Sequence, residues 1–266
     1  MRSFGMLGKK KVVIGMVHLA PLPGTPFYQE GTLEQTLKNA VADATALYQG
    51  GADGCLIQTV DRVYPAGDEA DYARVAAIAT ITKAVADATG PDFQIGVQIM
   101  VNALKASLAV AKVCDGSFIR CTALVGATPS AGGMIEANPY DVLTYRNTIG
   151  AQHVKLIAEV NSRHFRWLGE RSTADIARMA ARAGAAAVEV AHTDEEANAR
   201  LVREIKQAMP QLPVILGGHT THENVARRLA EADGAFVGAC LKTDRWDGRV
   251  DEERVRAYVD IVARLT

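Results

Sequence analysis

Four charged residues stand inside otherwise apolar runs. Arg120 lies in Phe118-Ile119-Arg120-Cys121, Lys155 and Glu159 in Val154-Lys155-Leu156-Ile157-Ala158-Glu159-Val160, and Glu189 in Ala187-Val188-Glu189-Val190. A charge in such a run is costly unless it is paired or functional. A buried carboxyl has a raised pKa, which suits general acid–base work. Glu159 and Glu189 are therefore candidate bases, and as a carboxylate pair they would suit glycosidic cleavage through an oxocarbenium-like transition state. Lys155 is the candidate amine for Schiff-base chemistry. The structural alternative for all four is a buried ion-pair network.

Two glycine motifs point to a different chemistry. Leu216-Gly217-Gly218-His219-Thr220-Thr221 leads into a helix, and Phe236-Val237-Gly238-Ala239-Cys240-Leu241-Lys242 ends an apolar run. Glycine lets backbone N–H groups approach a phosphate, and a helix start adds positive potential. Lys242 would add a charge. The same glycines could instead relieve crowding. His18 ends the first apolar run, ahead of the stiff Leu19-Ala20-Pro21-Leu22-Pro23-Gly24 segment, which could wall a site. Its imidazole, with Arg120, would orient or polarise a carbonyl or hydroxyl. His164 and His192 follow or end later runs. His219 and His222 have a spacing that two metal ligands can use, but a helix cap explains the segment, and neither a metal nor a cofactor is expected.

These residues need a frame to bring them together. Eight apolar runs read as strands: Val12–His18, Cys55–Val60, Gln94–Val101, Ser117–Leu124, Val154–Asn161, Ala187–His192, Pro213–Gly218 and Gly234–Leu241. Helix-period stretches alternate with them: Leu33–Tyr48, Tyr72–Ala88, Leu104–Val113, Tyr140–Ile149, Ala174–Ala183, Glu195–Met209, Val225–Ala230 and Glu252–Leu265. Gly150-Ala151 and Gly184-Ala185 recur just ahead of strands, as helix-ending glycines do. Capping boxes are expected at Thr32 with Gln35, Ser172 with Asp175, Thr193 with Glu196 and Thr220 with Glu223. Alternating strands and helices imply a parallel sheet with crossover helices. Eight even units favour closure into a single (βα)8 TIM barrel over residues 1–266, in the α/β class, with an open doubly wound sheet as the competitor.

In such a barrel the site lies at the C-terminal ends of the strands, and alternate residues point inward. Parity then selects Met16 and His18, Leu56 and Gln58, Gln98 and Met100, Arg120 and Thr122, Lys155 to Asn161 by twos, and Glu189. The candidate catalytic residues are His18, Arg120, Glu159, Glu189 and Lys155. The candidate substrate and phosphate ligands are Gln58, Gln98, Asn161, His164, His192, Gly217, Gly218, His219, Gly238 and Lys242. Phe165, Trp167 and Trp246 are expected in loops at the same end, covering a ligand or packing between loops or subunits.

Composition narrows the function. The 266 residues are 48% hydrophobic and 22% charged, with 29 basic against 30 acidic residues and a net charge of −1. That argues against an electrostatic nucleic-acid binder, and 6% aromatic content against base-stacking platforms. No run reaches the ~18 apolar residues of a membrane span. Arg2 and Lys9-Lys10-Lys11 precede a first strand rather than a signal peptide. Cys55, Cys114, Cys121 and Cys240 form no CxxC pair and read as buried reduced thiols of a cytoplasmic protein.

The segment Ile14-Gly15-Met16-Val17-His18-Leu19-Ala20-Pro21-Leu22-Pro23-Gly24-Thr25-Pro26 resembles the opening signature of the BtpA family. Phe118-Ile119-Arg120, Gly133-Met134-Ile135-Glu136, Tyr145-Arg146, Gly217 to Asn224 and Val237 to Lys242 fit it as well. The resemblance covers nearly the whole chain and implies a phosphate-binding (βα)8 barrel. It also brings an association with photosystem I biogenesis or sugar uptake, although no residue here speaks to pigment or membrane. His18, Arg120, Glu136, His164 and Lys242 match the family pattern. Gln58, Gln98, Thr122, Ala131-Gly132, Glu159 and His219 depart from it, which implies a divergent substrate. The expectation is an enzyme acting on a phosphorylated sugar or nucleoside-like metabolite, as an isomerase, a lyase or a glycosidic-bond-cleaving enzyme, and assembled as a homo-oligomer. The alternative is a non-catalytic assembly or regulatory protein on the same barrel, or a metal-dependent hydrolase using His18, His219 or His222.

Overall fold

In the computed structural model, residues 11–243 and 247–265 are described. Arg2, Lys9, Lys10 and Trp246 lie outside them. The barrel strands are β1 (Val12–Leu19), β2 (Gly54–Thr59), β3 (Gln94–Gln98), β4 (Phe118–Cys121), β5 (Lys155–Asn161), β6 (Ala185–Val190), β7 (Val214–Leu216) and β8 (Gly234–Val237). The helices are α1 (Leu33–Gln49), α2 (Tyr72–Ala88), α3 (Leu104–Val113), α4 (Pro139–Thr148), α5 (Thr173–Arg182), α6 (Glu195–Ala208), α7 (Val225–Arg228) and α8 (Glu252–Ala263). The strands close into a barrel in the order β1-β8-β7-β6-β5-β4-β3-β2, all parallel. The open-sheet competitor is therefore excluded, because β1 pairs with both β2 and β8.

Two separate apolar clusters form. The larger lies between strands and helices. The smaller fills the barrel interior with Val12, Ile14, Met16, Leu56, Phe118, Ile157, Ala187, Ile215 and Phe236. The Phe118 and Phe236 rings meet across it at 6.4 Å. Gly96 makes room for this plug, since a Cβ there would collide with the Phe118 ring. Bulky side chains from alternating positions fill a (βα)8 barrel in this way and leave no pore.

Local signals explain some element ends. Ser172 forms the expected box: its Oγ accepts from Asp175 N–H at 3.1 Å and donates to the Asp175 carboxylate at 2.8 Å. The other three boxes do not form. Thr32 donates its hydroxyl back to Gln29 O, α6 is capped by Asp194 accepting from Ala197 N–H, and Thr221 bonds Glu223 while Asn224 caps Thr221 N–H. Where an Asp or Asn stands closer to the helix start, its acceptor takes the cap. One feature was not expected at all. After β4, Ala127–Ser130 and Gly133–Glu136 pair as an antiparallel hairpin over the mouth. Among the described residues no helix is long and apolar enough to cross a membrane.

Candidate functional site

The site is built by position along the strands. Two residues beyond the interior plug, on the same inward parity, stand His18 of β1, Gln58 of β2, Arg120 of β4, Glu159 of β5, Glu189 of β6, Gly217 after β7 and Gly238 after β8. Gln98, paired with Gln58 in register, supplies β3. Eight strands thus contribute one ring: two carboxylates, one guanidinium, two amides, one imidazole and two glycines.

Arg120 is the hub. Its Nε donates to Glu189 Oε2 at 2.6 Å and its Nη2 to Glu189 Oε1 at 2.5 Å. Its Nη1 donates to Gln98 Oε1 at 3.3 Å, and Glu159 Oε1 lies 3.4 Å from its Nε. The guanidinium also faces the Phe236 ring at 5.3 Å across the barrel. Burial works against the Arg120 charge, but Glu159 and Glu189 together outweigh it and hold the proton more tightly than usual. Burial pushes the Glu189 carboxyl up to about 7, against the pull of Arg120 and with the help of the Glu159 charge.

A hydrogen-bonded chain continues the ring. Gln58 Nε2 donates to Gln98 Oε1 at 3.0 Å and contacts Met100 Sδ at 3.2 Å. Gln98 Nε2 reaches Thr122 Oγ1, and Thr122 Oγ1 donates to Glu159 Oε1, each at 3.3 Å. Ser162 closes the chain. Its hydroxyl donates to Glu159 Oε2 and accepts the backbone N–H groups of His164 and Phe165, both at 3.0 Å. Sequence reading missed Ser162. A serine whose hydroxyl accepts backbone N–H two and three residues on is a turn motif that the Asn161-Ser162-Arg163-His164 segment could have suggested.

On the other side of the mouth, Lys242 Nζ lies 3.3 Å from His18 Nδ1. Lys242 is 3% exposed, and burial lowers its pKa. Both side chains border a cleft of about 530 Å³ whose other walls include Ala20, Pro21 and Asp43. The end of β1 and the segment after it thus supply one wall of this cleft, through Leu19, Ala20 and Pro21. A smaller groove of about 260 Å³ runs under the hairpin and is lined by Arg62, Arg163 and His164. Burial holds the His164 imidazole below its usual pKa, although Glu159 pulls the other way.

The glycines have separate reasons. A Cβ at Gly217 would collide with Glu189 Oε1, so this glycine makes room for the carboxylate. A Cβ at Gly238 would meet Met16 and His18 at 3.5–3.7 Å, an ordinary van der Waals contact, so steric crowding does not by itself require a glycine there. Gly218 and His219 both take left-handed backbone, at φ 100° and 59°.

Several expected residues stand apart. Lys155 is the first residue of β5, pairs in register with Phe118, and lies two residues before the plug residue Ile157. It belongs to the N-terminal end of the barrel, away from Glu159, so the mid-strand Schiff-base assignment is corrected. Asn161 leaves the inward face because the β5–β6 register shifts between Glu159 and Asn161; its Nδ2 donates to Thr173 Oγ1 instead. The His192 ring accepts Asp194 N–H within its own loop. His219 is exposed, and His222 is turned to Arg254 O and the Tyr258 ring. Phe165 is fully buried, and Trp167 is partly buried and packs over Gly126.

The model of the BtpA family matches residues 9–264. The chain belongs to the BtpA family. An uncharacterized protein of Thermococcus kodakarensis is 30% identical, with 97% of each chain covered. The photosystem I biogenesis protein BtpA of Synechocystis is 28% identical over 94% of this chain and 88% of that one. Among solved structures, tryptophan synthase from Mycobacterium tuberculosis superposes with a TM-score of 0.61 at 18% identity, covering 96% of this chain and 92% of that one. Phosphoribosyl anthranilate isomerase from Thermus thermophilus gives 0.53 at 14%, covering 96% and 100%. At these identities the two structures share the barrel alone with this BtpA-family chain.

Proposed function

We propose that this chain is an enzyme acting on a phosphorylated sugar or nucleoside-like small metabolite, by isomerisation, lyase chemistry or glycosidic cleavage. The observation that carries this reading is the ring. Titratable and polar groups from six strands converge at the C-terminal end of the barrel, and the remaining two strands contribute glycines.

Chemistry follows from that division. Arg120 and His18 orient or polarise a carbonyl or hydroxyl. Glu189, titrating near neutrality, serves as acid or base. Two carboxylates against one guanidinium leave the layer with an excess of negative charge, which favours a transition state that develops positive charge. The phosphate sits at the ends of β7 and β8, against the backbone at Gly217, Gly218 and Gly238, where barrels of this class often hold one. Gln58 and Gln98 fix Arg120 and the rim beside it. Free thiols at Cys55, Cys114, Cys121 and Cys240 suit a cytoplasmic protein, and a homo-oligomer is part of the same reading.

One observation favours the second reading. Glu159 and Glu189 are buried and engaged by protein donors, as members of a structural network would be. A turnover screen over sugar and nucleoside phosphates, followed by NMR of the products, separates the two. The enzyme reading expects conversion of one class, reduced about 100-fold or more in Glu189→Gln and His18→Gln. Tight binding with no conversion across the panel would support the non-catalytic barrel.

A further inference from the structure

Lys242 follows the short turn after β8 and bridges to Val250, which fixes its backbone beside β1. Its Nζ is turned to His18 rather than to an acid. Among the described residues no carboxylate lies within ion-pair distance of it. Asp43 of α1, which lines the same cleft, is already engaged: it accepts Val250 N–H at 2.8 Å and pairs with Arg249 at 2.8 Å. Other lysines are answered differently. Lys11 donates to three backbone carbonyls, Lys105 pairs with Asp141 at 2.6 Å, and Lys206 pairs with Asp233 at 2.5 Å.

Among the described residues, the Lys242 ammonium is buried beside an imidazole and pays desolvation with no ion pair to offset it. The groups facing Lys242 divide: Asp43 and Asp247 favour its charge, while Arg249 opposes it and burial exceeds each of them. Burial thus makes Lys242 less basic than an ordinary lysine, and its side chain stands on the wall of a cleft large enough for a small carbonyl compound.

We propose that Lys242 is an amine nucleophile that captures a small aldehyde or ketone as an imine in this cleft. The proposal deepens the enzyme reading and rests on the barrel mouth being an active site. It also moves Lys242 from phosphate counter-charge to covalent catalysis. The Nζ lone pair forms the C–N bond, and the carbonyl electron pair moves to oxygen, which takes one of the two Nζ protons to give the neutral carbinolamine. The carbinolamine then loses its hydroxyl as water, using a proton delivered by the His18 ring, and the remaining Nζ proton returns to that ring. Water is the only by-product, and nothing is oxidised or reduced.

The test uses the intact chain, sodium cyanoborohydride, and glyceraldehyde, glyceraldehyde 3-phosphate, dihydroxyacetone phosphate and pyruvate as separate probes. Adducts are located by peptide mass mapping at pH 7. The expected result is a reduced adduct on Lys242 formed faster than on the exposed Lys38 and Lys83, since a lowered pKa raises the share of neutral amine. His18→Gln slows that adduct and leaves those at Lys38 and Lys83 unchanged. Labelling that follows exposure alone, with Lys242 unmodified, overturns the proposal. Phosphate titration of Lys242→Met keeps the two ideas apart. Retained phosphate binding with lost trapping is expected, whereas phosphate binding lost together with an unlabelled Lys242 in the wild-type chain assigns the residue to the anion and sinks the imine.

Discussion

One guanidinium serves two carboxylates in the ring, and it cannot neutralise both. Arg120 is committed through two short bonds to Glu189 and shares a weaker contact with Glu159. Burial and the Glu159 charge raise the Glu189 pKa to about 7 in the fold, well above the ~4.3 of an unfolded glutamate. A carboxyl raised in the native state stabilises the fold below its unfolded pKa and loses that contribution as pH rises toward 7. Stability should therefore fall between about pH 4.5 and pH 7, with a slope of up to about 1.4 kcal/mol per unit, and level off above. Urea unfolding across that range measures it, and Glu189→Gln should flatten the profile. Ser162 makes a second expectation at this scale. Ser162→Ala leaves two backbone N–H groups and one Glu159 oxygen without their partner, so a loss of about 1–3 kcal/mol is expected by the same method. The charges of the ring were legible in sequence, because a glutamate or arginine inside an apolar strand has few reasons to be there. Ser162 was not legible, since its role depends on a turn that returns it to Glu159.

At the scale of elements, strand parity placed most of the ring. His18, Gln58, Arg120, Glu159 and Glu189 each stand two residues past a plug residue, as alternation requires. Parity fails where the strand is irregular. The register shift in β5 turns Asn161 to α5, and no periodicity announces such a shift. The hairpin at Ala127–Glu136 was also missed, because its strands are short, half-exposed and carry Pro129 at their centre. Gly217 shows why a glycine can read two ways. Its missing side chain makes space for Glu189, whatever else its backbone binds. Gly217→Ala should destabilise the chain by about 1–3 kcal/mol, the range for overpacking a filled interior. Combined with Glu189→Ala the penalty should largely vanish, because the clash and the removed carboxylate are the same contact. Full additivity in that cycle would contradict the assignment.

The whole molecule is a closed barrel whose closure was legible from eight evenly spaced strand–helix units. Closure gives every strand two neighbours and brings β8 beside β1, which is what puts Lys242 against His18, more than two hundred residues apart in the chain. No local pattern carries that pairing. The homo-oligomer in the functional reading is tested at this scale by light scattering on a size-exclusion column, where a species larger than one chain is expected and a monomer across concentrations would contradict it. In the proposed function, the glycine side of the ring receives an anion for the charged side to act on. Calorimetric titration with inorganic phosphate and a panel of sugar and nucleoside phosphates tests it most directly, with unphosphorylated analogues and Gly238→Asp as controls. A side chain at Gly238 would start in contact with Met16 and His18, so the aspartate would carry a negative charge into the proposed phosphate site. Phosphate-dependent binding that Gly238→Asp abolishes is the expected result. Equal or absent binding of phosphorylated and unphosphorylated compounds would show that the glycines only make space and would contradict it.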